Sequence, residues 1–209
     1  MSWDYLVSTY DAVAAKYDAR FSDELRDKPR DRELLEAFAA TVGDPVADIG
    51  CGPGQIGAFV RERGHAVIGV DLSQQMARLA NARLDAALVA DMRSLPFPSG
   101  CLGAVVAFYS VIHVRRGELG SVLREFHRVL RPGGRLMMSA HEGHDEVTHD
   151  EFLGEPVRVT GTFFELDEIV GTSQAVGLEV TGAQRREPYP SEGDTVRLYV
   201  EAKKADAVS

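Results

Sequence analysis

The sequence is poor in cysteine and has no long apolar segment. Its 209 residues contain only two cysteines, Cys51 and Cys101, which form no CxxC pair and cannot build a disulfide framework. We therefore expect a reducing, cytoplasmic location. The longest apolar stretch, residues 101–112, is too short to span a bilayer, and the first residues lack the basic and then apolar pattern of a signal peptide. These features predict a protein that does not act at a membrane.

Positive charge is also in deficit. The chain has 23 lysines and arginines against 32 aspartates and glutamates, which gives a formal net charge of −9. An acidic surface repels phosphate backbones, so we expect no nucleic-acid partner. One group of arginines lies close together in the sequence, and we interpret it as the solvated face of a helix end: Arg124, Arg128, Arg131 and Arg135.

Short apolar segments alternate with amphipathic helical segments from residue 45 onward. This alternation predicts βαβ units and a mostly parallel sheet. The predicted strands cover residues 46–49, 66–70, 87–90, 102–108, 135–140, 178–184 and 195–202. The predicted helices in this part of the chain cover residues 55–63, 73–83, 118–130 and 165–176. The polar, Gly- and Asp-containing stretch 141–150 is expected to be a loop.

The two ends of the chain differ from this alternating pattern. Residues 3–41 are predicted to be helical, and Pro29 is expected to begin the second helix because proline suits a first turn. The last two predicted strands are joined by a polar loop, which favours an antiparallel hairpin at one edge of the sheet. The length of the chain fits a single domain over residues 1–209.

The most informative segment is VADIGCGPG at residues 46–54, where glycines follow a predicted strand and precede a predicted helix. Glycines there allow a sharp turn and a close approach of a ligand, and ligands of open α/β sheets lie beyond the carboxyl ends of the strands. Two ligand classes compete. Gly52-x-Gly54-x-x-Gly57, with Asp71 following, matches a dinucleotide fingerprint. Asp48 favours the other class, because a carboxylate repels a pyrophosphate but suits the ammonium and sulfonium of S-adenosylmethionine.

The same segment resembles the cofactor loop of class I S-adenosylmethionine-dependent methyltransferases, close to the type 11 group. The family pattern, an acidic residue followed by Gly-x-Gly-x-Gly, is matched by Asp48, Gly50, Gly52 and Gly54. The resemblance implies that this loop holds the methionine part of the cofactor, that Asp71 binds the ribose and that Asp91 and Met92 flank the adenine. The residues expected to bind the cofactor are Tyr17, Asp48, Gly50, Cys51, Gly52, Gly54, Asp71, Leu72, Met76, Asp91, Met92, Phe108 and Tyr109.

The resemblance also implies a fold. It is strong over residues 45–140 and predicts an α/β, Rossmann-like three-layer sandwich with a mostly parallel seven-stranded sheet and an antiparallel C-terminal hairpin. Within the single domain, residues 45–202 would form the core. Residues 1–41 would form a helical lid over the cofactor, from which Tyr17 can reach it.

Methyl transfer from a sulfonium is an in-line displacement, so the protein must mainly align the two reactants, which can supply roughly 7–11 kcal/mol. A general base matters only where the acceptor must lose a proton. His113 is the candidate base, with packing as its alternative role, and His141 is a candidate base or acceptor-pocket residue. The histidines and acids of residues 141–150 lack any fixed metal-binding spacing, so we expect no metal site.

Three functions are kept open at this point. The first is methyl transfer to a small-molecule acceptor at oxygen, nitrogen or carbon. The second is a nicotinamide-dependent oxidoreductase, and the third is a catalytically silent module that retains the cofactor fold. The sequence does not indicate the oligomeric state.

Overall fold

The computed structural model, which describes residues 4–207, is built around one seven-stranded sheet. The strands are β1 (Val46–Ile49), β2 (Val67–Asp71), β3 (Ala86–Val89), β4 (Leu102–Phe108), β5 (Leu130–His141), β6 (Glu146–His149), β7 (Val159–Thr162), β8 (Leu178–Arg186) and β9 (Arg197–Lys204). The order in the main sheet is β3-β2-β1-β4-β5-β9-β8. Strands β1 to β5 are parallel, and β9 pairs antiparallel with both β5 and β8. The predicted sheet and its antiparallel C-terminal hairpin are confirmed.

Helices cover both faces of this sheet. They are α1 (Asp4–Phe21), α2 (Pro29–Ala39), α3 (Gln55–Arg61), α4 (Gln74–Ala80), α5 (Leu119–Val129) and α6 (Leu166–Ala175). One buried apolar cluster joins α5 and α6 to one face, and a second joins α2 and α3 to the other. Successive residues of β4 enter opposite clusters, Val105 one and Val106 the other, because side chains alternate across a strand. The result is the predicted three-layer sandwich.

Local sequence signals explain several boundaries. Strands β1 and β4 match their predicted bounds because both are buried along their whole length and are therefore continuously apolar or nearly so. Pro29 begins α2 as expected. Ser73 caps α4, with its hydroxyl oxygen accepting a hydrogen bond from the Met76 amide at 3.1 Å.

Two parts of the prediction were wrong. Part of the stretch expected to be a loop forms β6, which pairs antiparallel with β7 in a separate two-stranded sheet. Neither strand has the apolar alternation of a half-buried strand, so the pairing depends on a distant partner that the local pattern does not reveal. Strand β5 begins at Leu130 rather than at 135, because Leu130 pairs with Leu102 before a register shift.

Helix α1 lies across the carboxyl ends of the strands and is attached to several core segments. The Thr9 hydroxyl donates to the Arg158 carbonyl oxygen at 2.6 Å, and Asp11 accepts a hydrogen bond from the Ser73 hydroxyl at 2.5 Å. A one-turn helix, Glu24–Asp27, connects α1 to α2. The predicted start of the helical region at residue 3 lies outside the described residues. Within residues 4–207, the helices are all too short or too polar to cross a membrane.

Candidate active site

A cavity of about 860 Å³ opens at the carboxyl ends of the parallel strands. Its floor includes the last residues of β1, β2 and β4, and its roof includes side chains of α1, β6 and β7. The predicted site residues that line the cavity are Tyr17, Asp48, Gly50, Cys51, Gly52, Asp71, Leu72, Met76, Asp91, Met92, Phe108, Tyr109, His113 and His141. The structure therefore brings together residues that are separated by more than a hundred positions in the sequence.

The glycine loop turns with positive φ at Gly52 and Gly54, at 52° and 91°. A Cβ added to Gly52 would face the cavity, where its nearest neighbour is the Tyr17 ring at 3.8 Å. Gly54 does not line the cavity, although it was predicted to bind the cofactor. A Cβ there would lie 3.0 Å from the Ala80 backbone, so Gly54 allows the loop to pack on α4. Gly52 is thus the glycine that lets a ligand approach the main chain.

Asp71 connects the glycine loop to the start of α4. One of its carboxylate oxygens accepts a hydrogen bond from the Gly52 amide and the other from the Ser73 amide, both at 2.8 Å. Burial deep in the cavity raises its pKa to about 6, against these hydrogen bonds, which favour the carboxylate form. The side chain is still partly exposed to the cavity. Its position beside Gly52 suits an acceptor for ligand hydroxyls.

Asp48 lies lower in the floor of the cavity and is buried. Its carboxylate accepts a hydrogen bond from the Gly57 amide, in the first turn of α3, at 2.8 Å. Burial raises its pKa to about 7, and the Gly57 hydrogen bond opposes that rise. Asp48 was predicted to bind the cofactor, whereas its observed hydrogen-bond partner, the Gly57 amide, belongs to the protein itself. The neighbouring Cys51 thiol is also buried, and burial raises its pKa, which keeps it protonated.

Asp91 and Met92 line the cavity beyond β3. Burial acts to raise the pKa of Asp91, but the guanidinium of Arg93, which contacts both carboxylate oxygens, leaves it below the usual range. Asp91 is therefore a firmly ionised, fixed acceptor. Leu72 and the buried Met76 supply apolar surface next to it along the same wall.

Tyr109, which follows β4, has an unusual backbone. Its φ is 50°, a conformation that costs about 1–3 kcal/mol for a residue other than glycine. The Ser139 hydroxyl oxygen accepts a hydrogen bond from its amide at 2.9 Å, and its ring stacks on His141 with centroids 5.2 Å apart. Burial, with the charges of Arg197 and Lys28, lowers the pKa of His141 to about 3. His141 is therefore a neutral wall of the cavity.

A buried carboxylate that sequence reasoning missed lies behind Tyr109. Asp31 of α2 accepts hydrogen bonds from the hydroxyls of Tyr199, at 2.6 Å, and Tyr109, at 3.2 Å, and from Arg186, at 3.2 Å. The sequence of α2 could have indicated that Asp31 is buried, because Asp31 lies on the same helical face as Leu34, an apolar core residue. The network fixes the Tyr109 side chain from below.

Both ring nitrogens of His113 are hydrogen-bonded within the protein, so neither offers a free lone pair to a ligand. Its Nδ1 lies 2.9 Å from the Thr160 carbonyl oxygen, which can only accept, so Nδ1 carries the proton. Nε2 then accepts a hydrogen bond from the Tyr10 hydroxyl at 2.6 Å. Burial lowers the pKa of His113, although the Thr160 hydrogen bond opposes this, so the ring is neutral near pH 7. Tyr10 was not among the predicted site residues, and no local signal connects it to His113.

The acids and histidines of residues 141–150 do not converge on one point. His141 and His149 line the cavity, and His144 lies near Glu165 on the exposed surface. In the described part of the chain, no group of three or more His, Cys, Asp or Glu side chains could hold a metal ion.

Comparison with known proteins finds similarity to methyltransferases over part of the chain. A family model described as a methyltransferase domain matches residues 47–138. The chain is 31% identical over 136 residues to the malonyl-[acyl-carrier protein] O-methyltransferase of Serratia marcescens, a match that covers 64% of this chain and 51% of that protein. It is 36% identical over 135 residues to the demethylmenaquinone methyltransferase of Beutenbergia cavernae, covering 62% and 55%.

A solved structure shows the same fold. The 1,6-didemethyltoxoflavin-N1-methyltransferase of Burkholderia thailandensis, with bound 1,6-didemethyltoxoflavin and S-adenosylhomocysteine, aligns with a TM-score of 0.62 at 23% identity. The alignment covers 96% of this chain and 91% of that one.

The present chain spans about half the length of the curated relatives it matches. The strand order and the glycine loop at the carboxyl end of β1 are those of a Rossmann-like methyltransferase fold, and the domain match covers residues 47–138. Over residues 47–138 the chain is similar to the methyltransferase domain, and it resembles class I S-adenosylmethionine-dependent methyltransferases in sequence and in fold. The predicted resemblance is thereby confirmed, and it favours a methyltransferase over the nicotinamide-dependent alternative.

Proposed function

We propose that this chain binds S-adenosylmethionine at the β1–β2 end of the cavity and transfers its methyl group to a small-molecule acceptor beneath α1 and the β6–β7 pair. The observation that carries the proposal is the joint position of Gly52 and Asp71. Gly52 offers an open main-chain face to the cavity, and the Asp71 carboxylate is hydrogen-bonded to the amide of that same residue. A nucleoside with an attached amino-acid tail needs both features side by side.

The residues present fit this cofactor. Asp71 would accept hydrogen bonds from the ribose hydroxyls, and Leu72, Met76, Asp91 and Met92 would flank the adenine. The Gln55 Oε1 atom is buried beside the cavity and has no hydrogen-bond partner in the described part of the chain, so it suits a ligand ammonium. When bound, the cofactor supplies an activated methyl group on a cationic sulfur.

The protein would contribute alignment and exclusion of water. Tyr17 lies over Gly52 and would cover the ligand there, which gives α1 the role of the predicted lid. Phe108 and Tyr109 would form the floor between cofactor and acceptor. Holding the two reactants in line can supply roughly 7–11 kcal/mol without any covalent intermediate.

The acceptor half of the cavity contains His113, the neutral His141 and aromatic side chains of the roof. A small-molecule acceptor is supported by enclosure beneath α1, and the net charge of −9 disfavours a nucleic-acid acceptor. The two free thiols, Cys51 and Cys101, support a reducing, cytoplasmic location.

Isothermal titration calorimetry with S-adenosylhomocysteine tests the cofactor proposal. We expect the wild-type protein to bind it and Asp71→Ala to weaken binding about 10- to 100-fold, because hydrogen bonds to a charged group are lost. Asp167→Ala, at an exposed position of α6, is the matched control and should bind like the wild type. Absence of binding to the wild-type protein would contradict the proposal, as would binding of NADH at this site, detected by its fluorescence.

Cofactor binding alone does not distinguish an enzyme from a silent module. The discriminating experiment supplies S-adenosylmethionine labelled in the methyl group together with a panel of hydroxyl, amine and carbon acceptors. Label in an acceptor supports the enzyme, whereas tight cofactor binding without transfer to any acceptor supports the silent module.

A further inference from the structure

The roof of the cavity contains a chain of hydrogen bonds that the cofactor half does not need. It runs from the Tyr10 hydroxyl to His113 Nε2, at 2.6 Å, and from His113 Nδ1 to the Thr160 carbonyl oxygen, at 2.9 Å. The three residues come from α1, from the segment after β4 and from β7. Tyr10 and His113 both line the cavity, so the chain begins at a residue that a bound acceptor can contact.

Resting on the proposed methyl transfer, we propose that Tyr10 and His113 form a proton relay and that the acceptor is an aromatic hydroxyl compound. The acceptor oxygen would donate its hydrogen bond to the Tyr10 oxygen, and Tyr10 donates its own to His113. From the sequence, His113 and His141 were the candidate bases, and Tyr10 was not considered. In this relay, Tyr10 would be the group that touches the acceptor.

The relay balances atoms and charge. The acceptor oxygen forms a bond to the methyl carbon, and the carbon–sulfur bond breaks with its electron pair remaining on sulfur. The acceptor proton moves to the Tyr10 oxygen, while the Tyr10 proton moves to His113 Nε2. The products are a methyl ether, a neutral thioether, an unchanged tyrosine and an imidazolium. No oxidant, reductant or other reactant is required.

Charge conservation explains why the buried His113 can act as the final proton acceptor. An extra cation in a buried cavity is costly, and burial lowers the pKa of His113 accordingly. In this reaction, however, the positive charge on sulfur disappears as the imidazolium forms, so the cavity gains no net charge. The Thr160 carbonyl oxygen accepts from Nδ1 throughout and stabilises the protonated ring.

The surroundings of Tyr10 favour an aromatic acceptor. Its ring lies edge-on to Phe152, with centroids 6.1 Å apart, and to Tyr17 at the same distance. Phe163 and His141, whose ring centroids lie 6.0 Å apart, add to this aromatic lining of the cavity. Aromatic pairs gain about 0.5–1.5 kcal/mol beyond simple burial, so such walls favour a planar ring over an aliphatic chain. An amine acceptor would not need its proton removed before attack, so the relay specifically suits a hydroxyl.

The experiment uses 4-nitrophenol, whose ionised form absorbs visible light, as a probe with the full protein loaded with S-adenosylhomocysteine. We expect the probe to bind and to ionise at a lower pH than it does free in solution, by roughly one pH unit, which is a tenfold change in its acidity constant. Tyr10→Phe should abolish this change, because the phenylalanine ring fills the same space without relaying a proton. His113→Gln should abolish it as well.

The matched control is Tyr5→Phe, on the same helix but away from the cavity lining. It should leave the ionisation of the bound probe unchanged. All three variants should bind S-adenosylhomocysteine within about twofold of the wild type, because neither hydroxyl nor imidazole contacts the glycine loop.

The following results would contradict the proposed relay. Failure of 4-nitrophenol to bind the loaded protein removes the acceptor class, and an unchanged ionisation in Tyr10→Phe removes Tyr10 as the relaying group. Loss of the effect in Tyr5→Phe would assign it to helix packing instead. Failure of the wild-type protein to bind S-adenosylhomocysteine is a different result, which contradicts the proposed function itself.

Discussion

At the scale of single residues, the buried carboxylate of Asp48 bears on which ligand the glycine loop can accept. Its oxygen is already bonded to the Gly57 amide at 2.8 Å. In dinucleotide-binding folds, the first-turn amides after the glycine loop receive the pyrophosphate. Here one of those amides is occupied by the protein's own carboxylate. The structure therefore gives a reason against a pyrophosphate that differs from the charge argument: one amide donor is no longer available.

Replacing Asp48 tests this placement through stability. The pKa of Asp48 is raised from 3.8 to about 7, so the folded protein keeps a proton that the unfolded chain loses, and stability declines as pH rises between about 4 and 7. Asp48→Asn cannot ionise and still offers an oxygen to Gly57. We expect this variant to be more stable than the wild type above pH 7, by at most about 4 kcal/mol, and equal to it near pH 4.

Urea denaturation at the two pH values measures the difference, with Asp167→Asn as an exposed control. A variant that is less stable than the wild type at both pH values would show that Asp48 is ionised at little cost in the folded protein.

At the scale of elements, the strands and helices that depend on local sequence pattern were predicted. The elements and contacts that depend on residues distant in the sequence were not. Strands β1 and β4 and the start of α2 follow from apolar runs and from Pro29. The β6–β7 pair was missed because its strands are polar and short. The bond between Tyr10 and His113 joins residues 103 positions apart, and no pattern in a single sequence reports such a contact.

Helix α2 is also held in place by contacts between residues far apart in the sequence, which are made by Asp31. Asp31 is 1% exposed and links α2 to β9 through Tyr199 and to β8 through Arg186. Asp31→Ala removes the acceptor of both the Tyr199 and the Arg186 hydrogen bonds, and of its ion pairs Arg186 then keeps only the one with Glu192, so we expect the free energy of unfolding to fall by about 3 kcal/mol. Chemical denaturation measures this, with the exposed Asp27→Ala as control. Equal losses in both variants would contradict a specific role for the buried carboxylate.

At the scale of the whole molecule, two covered sheet faces leave the carboxyl ends of the strands as the place where a cavity can form. Helix α1 crosses that end and is held by Thr9, Tyr10 and Asp11 to three different segments. The glycine loop and Asp71 line the cavity at the ends of β1 and β2, and His113 and His141 line the part that we assign to the acceptor. This arrangement is the reason to propose neighbouring sites for cofactor and acceptor in one cavity.

The most direct measurement is a crystal structure of the complex with S-adenosylhomocysteine. We expect the ribose hydroxyls to donate to Asp71 and the amino-acid tail to lie along Gly52 beneath Tyr17. The adenine should lie between Leu72 and Met92. A ligand bound elsewhere in the cavity, with the open face of Gly52 uncovered, would contradict the assignment of the cofactor site.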